Sequence, residues 1–213
     1  FGGYMKTIVT RWWWIRHAPV FNPSNIVYGQ MDLDADVSDS KSFKRLAEIL
    51  PSEAVLVTSD LKRTVLTAEA IVRAGASLPK AIEEPALREQ HFGIWQGKQR
   101  DQLGDTFNNK MHKFWITPAF ERAPKGESFA DVIARVAPAV ANITTNYAGS
   151  DIICVSHGGT IRAAIAIALG LGPERALSIT AANCSLTRLA HIADRKSNTG
   201  VWSIEMINFD PSI

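Results

Sequence analysis

Thr7-Ile8-Val9-Thr10-Arg11-Trp12-Trp13-Trp14-Ile15-Arg16-His17 is dense in β-branched and aromatic residues and predicts a strand over 7–16. The three consecutive tryptophans leave no polar face, so the strand needs apolar cover on both sides. Pro19 cannot donate to a ladder and stops it. The strand therefore delivers a cation and an imidazole, Arg16 and His17, to its carboxyl end.

Two more apolar runs repeat the device. Ala54 to Thr58 reads as a strand that turns at Ser59-Asp60 into a helix from Leu61 to Ala74, with Asp60 as N-cap and Gly75 as terminator. Asp151 to Ser156 reads as a strand followed by His157-Gly158-Gly159 and an apolar helix, Thr160 to Leu169. Around these lie an irregular stretch over 21–40, a helix over 40–50 closed by Pro51, and a short strand over 81–84. An amphipathic helix over 128–147 is expected to bend at Pro138, and two closing strands cover 185–192 and 201–207. Residues 92–127 read as a cap-like insertion over the core, with weak helix around 100–114. Alternating strands and helices predict one α/β domain over 1–213, its sheet covered on both faces and its ligand beyond the carboxyl ends of the strands.

Composition narrows the partners. Of 213 residues, 46% are apolar, and 23 basic against 21 acidic residues leave a net charge of +2. So small a charge argues against a nucleic acid or an anionic membrane as partner. Cys154 and Cys184 lie in apolar, strand-like stretches and read as buried thiols. No apolar run is long enough to span a bilayer. Arg11 and Arg16 interrupt what would otherwise resemble a secretion signal, so a cytoplasmic location is expected. Phe1 to Tyr4 precede the first methionine, Met5, and read as a cloning remnant.

If the three strands are parallel neighbours, Arg16, Arg63, His17 and His157 meet at one edge, beside helix N-termini that favour anions. Guanidinium forks match phosphate oxygens. Arginines next to an imidazole disfavour its protonated form and keep a ring nitrogen free for attack on phosphorus; the other nitrogen needs an acceptor, such as a backbone carbonyl. Positioning and charge neutralisation are the main demands of phosphoryl transfer, so no metal or cofactor is required. A leaving alkoxide needs a proton, and Glu89 in Leu87-Arg88-Glu89-Gln90-His91-Phe92-Gly93-Ile94-Trp95-Gln96-Gly97 can supply it.

Arg16-His17-Ala18, Ser59-Asp60-Leu61-Lys62-Arg63-Thr64, Leu87 through Gly97 and Ser156-His157-Gly158-Gly159 fall in the order seen in the histidine phosphatase superfamily, and the chain resembles its phosphoglycerate mutase-like branch. Pro124-Lys125-Gly126-Glu127-Ser128 looks like that family's Gly-Glu-Ser loop. The resemblance implies a three-layer α/β/α sandwich around a mainly parallel sheet, with a helical insertion over the active site. It implies that His17 becomes phosphorylated, that Arg16, Arg63 and His157 clamp the phosphate, and that Glu89 donates the proton. Two positions depart from the pattern. Ala18 replaces a glycine, and its methyl is either tolerated or crowds the phosphate. Pro23 stands where an asparagine usually contacts phosphate; Asn22, Ser24 and Asn25 are the candidate substitutes, and Asn22 is carried forward. Tyr28-Gly29-Gln30-Met31-Asp32 resembles a segment of the α-ribazole phosphatase-like subgroup.

These readings predict a phosphomonoesterase acting on a small phosphorylated metabolite. The competitors are a mutase, a phosphate-binding protein without turnover, and a metal hydrolase using His17, Glu89 and His157, which the crowded arginines oppose. Trp12 to Trp14 read as core, His91 as structural, and His112 and His191 as surface residues; Trp95 and Trp115 either line the pocket or anchor the insertion. The oligomeric state is not legible.

Overall fold

The computed structural model describes residues 7–106, 112–194 and 200–213, so Phe1 to Tyr4 lie outside it. Six strands form one sheet: β1 (Thr7–Arg16), β2 (Ala54–Thr58), β3 (Ile82–Glu83), β4 (Asp151–Ser156), β5 (Leu186–Asp194) and β6 (Gly200–Phe209), in the order β3-β2-β4-β1-β5-β6. Pairings among β3, β2, β4 and β1 are parallel, and β5 runs against both its neighbours. The sheet is mainly parallel, as the strand–helix alternation requires, and helices cover both faces.

The tryptophans of β1 show why. Side chains alternate across a strand. Trp12 and Trp14 share one face, stacked with centroids 4.8 Å apart, and enter a core with Ile152, Cys154, Val136 and Ile165. That layer is built by α4 (Phe129–Asn146) and α5 (Gly158–Leu169). Ile15 faces the other way, into a second core with Ile153, Val155, Phe43, Leu46 and Ile71. Its cover is α1 (Ser40–Ile49) and α2 (Lys62–Arg73). Trp13, also on this face, is half-buried; its indole N–H reaches Asp151 Oδ1 at 2.8 Å and its ring receives the Arg188 guanidinium at 4.8 Å. Trp12 Nε1 donates to Thr144 Oγ1 at 2.9 Å, so the buried polar end is satisfied.

Ser128 caps α4 in a reciprocal capping box with Asp131, worth about 1 kcal/mol against alanine. Pro138 lies inside that helix. Between β3 and α4, residues 92–127 build a small core of their own from Phe92, Trp95, Leu103, Ile116 and Ala123, joined by Val27. Its described α-helix, α3 (Arg100–Thr106), is shorter than the 100–114 expected; residues 107–111 lie outside the described set, and the chain is in turns and bends from Lys113. A last short helix, α6 (Pro173–Ala176), precedes β5.

Two local expectations are corrected. Asp60 does not cap α2: Leu61 is the N-cap, without a side-chain bond, because the Asp60 carboxylate pairs with both forks of Arg88 instead. Cys184 is buried but sits in a turn with φ of 58°, not in a strand.

Candidate active site

The register aligns the carboxyl ends of three parallel strands, with Arg16 opposite Ser156 and Thr58 opposite Val155. The β1–β4 ladder continues one residue further, the His17 N–H donating to Ser156 O at 2.9 Å. This places His17 beside His157, ring centroids 5.2 Å apart and planes at 61°. His17 is 1% exposed. Its Nδ1 lies 2.7 Å from Ala18 O. A carbonyl only accepts, so Nδ1 carries the hydrogen and Nε2 keeps a bare lone pair. Burial pushes the imidazole pKa well below 6.5, and the charges of Arg63 and Arg16 push it further the same way. Ala18, the first departure from the family pattern, has its methyl in the second core, and its N–H donates to Thr67 Oγ1 at 2.9 Å. The methyl thus packs away from the ring it follows.

Arg63, in the first turn of α2, is fully buried. It donates from Nη2 to Gly29 O at 2.5 Å, from Nη1 to Met31 O at 2.8 Å, and from Nε to His157 Nδ1 at 3.2 Å. A guanidinium has five N–H groups, so two of the five remain for a ligand. Because His157 Nδ1 accepts, its Nε2 carries the hydrogen and donates to Ser59 Oγ at 2.8 Å. The Ser59 hydroxyl passes to Thr64 Oγ1 at 3.0 Å, and Thr64 to the Leu61 carbonyl at 2.8 Å. His157 is therefore neutral, with both ring nitrogens occupied, and burial together with Arg63 holds its pKa well below 6.5. Gly29 makes the Arg63 seat possible: its φ is +45°, and a Cβ there would meet Gln96 Oε1 at 2.5 Å.

Glu89 comes from a loop. Its carboxylate accepts the Gly159 N–H at 3.1 Å and 3.2 Å and the Gln90 N–H at 2.9 Å. A Cβ on Gly159 would fall 2.2 Å from Glu89 Oε1. The backbone around Glu89 is held by side chains: Ser156 Oγ and Thr160 Oγ1 donate to Leu87 O and Arg88 O, and Gln30 Nε2 to Glu89 O at 2.8 Å. Arg135 donates to Ala86 O at 2.6 Å and grips Glu127 through two bonds of 2.8 and 3.0 Å, which ties the Gly126-Glu127-Ser128 turn to the same loop.

Arg16 donates from Nη1 to Ala181 O at 2.6 Å, while its buried Nε has no partner among the described residues. Three contributors escape a sequence reading. Asn183 donates to His17 O at 2.7 Å. Ile179 and Ala181 supply backbone carbonyls to the guanidinium groups of Arg162 and Arg16. Arg162, 8% exposed, lies on α5 with its Cζ 4.7 Å over the Trp115 ring. Arg162 was legible in principle, as a lone charge in an apolar helix, one turn beyond Gly158.

Asn22 is not brought into this group. Its amide oxygen accepts the Ile26 N–H at 3.0 Å and its nitrogen donates to Ile26 O at 2.9 Å, which closes a loop. Ser24 and Asn25 are exposed. Trp95 anchors the insertion core, whereas Trp115 reaches the site, its Nε1 donating to Gln90 Oε1 at 2.8 Å. His91 accepts the Gly93 N–H at 3.1 Å, a local structural role. His112 and His191 are half-buried rather than on the surface; His112 lies 3.7 Å from Glu174, and His191 packs on Trp202. A cavity of about 370 Å³ opens beside the Glu89 loop, lined by Gln30, Arg88, His91, Lys125, Glu127 and Arg135 among others. A roomier one, about 530 Å³, lies behind α2 among Leu56, Val65, Ala68, Val72 and Leu78, and contains none of the grouped residues.

The sequence profile of the histidine phosphatase superfamily, branch 1, matches residues 12–203. A probable phosphoglycerate mutase of Photorhabdus laumondii is 30% identical over 178 residues, covering 82% of each chain. A glucosyl-3-phosphoglycerate phosphatase of Mycolicibacterium vanbaalenii is 33% identical over 168 residues, covering 74% of this chain and 73% of that one. The solved structure of a mycobacterial glucosyl-3-phosphoglycerate phosphatase overlays with a TM-score of 0.77 at 26% identity, covering 94% of this chain and 99% of that one. With the profile spanning most of its length, and two arginines and two histidines gathered at one sheet edge, the chain belongs to the histidine phosphatase superfamily.

Proposed function

We propose that the protein is a metal-independent phosphomonoesterase that carries the phosphoryl group on His17 Nε2. The observation that carries this reading is the His17 ring itself: Nδ1 is tied to Ala18 O, and Nε2 is bare, buried and faced by Arg16 and Arg63. Nε2 attacks phosphorus in line, the P–O bond to the leaving group breaks, and Glu89 gives its proton to the departing oxygen. Water then attacks the phosphohistidine, Glu89 takes the proton back, and inorganic phosphate leaves. The two uncommitted N–H groups of Arg63 and the free Nε of Arg16 neutralise charge on the equatorial oxygens. His157 orients Arg63; it reaches the phosphoryl group only by releasing Ser59.

The substrate class is a small phosphate ester. Within the Tyr28–Asp32 segment, which resembles the α-ribazole phosphatase-like subgroup, Gly29 and Met31 also give their carbonyls to Arg63 and Gln30 gives its amide to Glu89 O. The test is turnover of an aryl phosphate in excess chelator, with acid quenching against base quenching of the protein. An acid-labile, base-stable phosphoprotein is expected, and His17→Ala should lose about 10⁴-fold or more in kcat. Turnover without that species, or surviving in His17→Ala, would overturn the reading.

A further inference from the structure

The chain leaves its ladders at His17. Arg16 is still paired by the segment entering β5, its N–H donating to Ser185 O at 3.2 Å and its carbonyl accepting the Cys184 N–H at 3.0 Å. The His17 N–H closes on Ser156 O at 2.9 Å, and Pro19 brings no N–H. Between them lies one peptide unit, the His17 carbonyl and the Ala18 N–H, whose buried polar groups need partners.

Two side chains supply them. Asn183 Nδ2 donates to His17 O at 2.7 Å, and Thr67 Oγ1 accepts the Ala18 N–H at 2.9 Å. In a trans peptide the C=O and N–H point in opposite directions, so the plane is gripped at both edges. The Ala18 methyl, seated in the second core, fixes a third point. Each grip is itself braced. Thr67 is fully buried on α2 and gives its one hydroxyl hydrogen to Arg63 O at 2.6 Å, one turn back, which leaves a lone pair for Ala18. One hydroxyl thus ties the backbone of His17 to the helix turn that carries Arg63. Asn183 follows two pinned residues: Ala181 O accepts from Arg16 Nη1 at 2.6 Å, and the Ala182 N–H donates to Asn208 Oδ1 at 2.7 Å.

We infer that Thr67 and Asn183 are positioning residues that fix the tautomer of His17 by holding the 17–18 peptide plane. The carbonyl that takes the Nδ1 hydrogen belongs to Ala18, 2.7 Å away, and its direction depends on how the plane before it is set. With that plane free to rotate, the contact lengthens and the hydrogen is no longer confined to Nδ1. On Nε2 it would occupy the lone pair that attacks phosphorus. The inference rests on the phosphoesterase reading, in which Nε2 is the attacking atom, and both residues act through His17 rather than on the ester.

The experiment follows the ring and the turnover together in Thr67→Val, Thr67→Ser and Asn183→Leu. Valine keeps the shape of threonine without its oxygen, serine keeps the oxygen, and leucine keeps the length of asparagine without its donor. Nitrogen-15 NMR of histidine-labelled protein, with the His17 signals identified by their loss in His17→Ala, reports which ring nitrogen is protonated. The unaltered protein and Thr67→Ser should show the Nδ1–H form alone, while Thr67→Val and Asn183→Leu should show the Nε2–H form beside it. Thr67→Val should lose about 10²-fold in kcat, the cost of a reacting group misplaced by about 1 Å, and Thr67→Ser should recover most of that loss. The loss should be similar on nitrophenyl and alkyl esters, because the nucleophile serves both. Asn183→Leu, in a half-buried turn, decides the matter if Thr67→Val does not fold. The Nδ1–H form alone in every folded variant overturns the inference, and so does a Thr67→Ser protein as slow as Thr67→Val, since the oxygen would then be irrelevant. If no ester is turned over, the phosphatase reading fails, and the ring spectra judge the peptide clamp alone.

Discussion

The site has two halves, built on different principles. One half stands at strand ends: Arg16, His17 and His157 are placed by the β1–β4 register, and Arg63 by the first turn after β2. The other half, Glu89 and the wall over 179–183, is placed by loops. In the strand-end half the functional side chains themselves are tied down, each ring nitrogen of His157 assigned and three donors of Arg63 committed, to His157 and to the Gly29 and Met31 carbonyls. The loop half is held from outside, by Gln30, Arg135, Ser156 and Thr160 gripping backbone carbonyls around residues 86–89. The difference fits the proposed chemistry. The phosphoryl group is the same in every ester and wants a rigid seat, while the leaving group varies and meets residues whose placement depends on many side chains.

The largest effect that separates the halves is expected at Glu89. Glu89→Gln keeps the acceptor for the Gly159 N–H but removes the transferable proton. Poor leaving groups should slow by about 10²–10⁴-fold, while a nitrophenyl ester, which leaves without help, should slow far less. A leaving-group series measures the slope directly. Equal losses across the series would move Glu89 out of the acid role and merge the two halves into one phosphate seat.

Gly159→Ala sharpens the same contrast without touching an ionisable group. The new Cβ would stand 2.2 Å from Glu89 Oε1, so the carboxylate must move. A displacement near 1 Å at a reacting group costs about 10²-fold. The loss should again concentrate on poor leaving groups, and inorganic phosphate should inhibit as before, since the His17 half is unaltered. Weaker phosphate inhibition would show that α5 transmits the strain to both halves.

The halves also differed in how far they could be read from sequence. Arg16-His17 and His157-Gly158-Gly159 were legible because each follows an apolar run that can only be an inner strand, so the strand end and the chemistry are adjacent in the chain. Their parallel sense follows from the alternation of strand and helix, but the order β2-β4-β1, which seats β4 between the other two, is read only from the structure. Ala18 was legible as a departure but not in its effect, which depends on which side of the backbone the second core lies. The wall over 179–183 was illegible because Ile179 and Ala181 act through carbonyls that any residue would supply. Asn22 misled for the opposite reason: a residue of the right type near the right place folds its amide back onto Ile26. Asp60 likewise looked like a cap by position, and Arg88, remote in sequence, claimed it.

The smallest effect is one of stability, and it isolates the strand-end half by pH. Burial lowers the folded pKa of His17 and His157 well below 6.5, the value expected of an unfolded ring, and nearby arginines add to the shift. Below 6.5 the unfolded chain therefore takes up protons that the folded chain refuses. The stability these rings confer is complete above 6.5 and falls as pH drops from there toward their folded pKa values. Each ring contributes a slope of up to about 1.4 kcal/mol per pH unit in that interval. His191, also lowered by burial, adds a share of the same sign. The carboxylates whose pKa values are held down, Asp60 by Arg88 and Asp131 by the Ser128 cap and Arg122, start from 3.8 and titrate below this window, so they leave it to the histidines. Urea midpoints measured between pH 7.5 and 5.5 should fall steadily in the parent, and more shallowly in His17→Ala, which lacks one of the refusing rings. A flat profile in the parent, or equal slopes in the two proteins, would mean that the pocket admits a proton in the folded state, and the bare Nε2 on which the proposed attack depends would not survive mild acid.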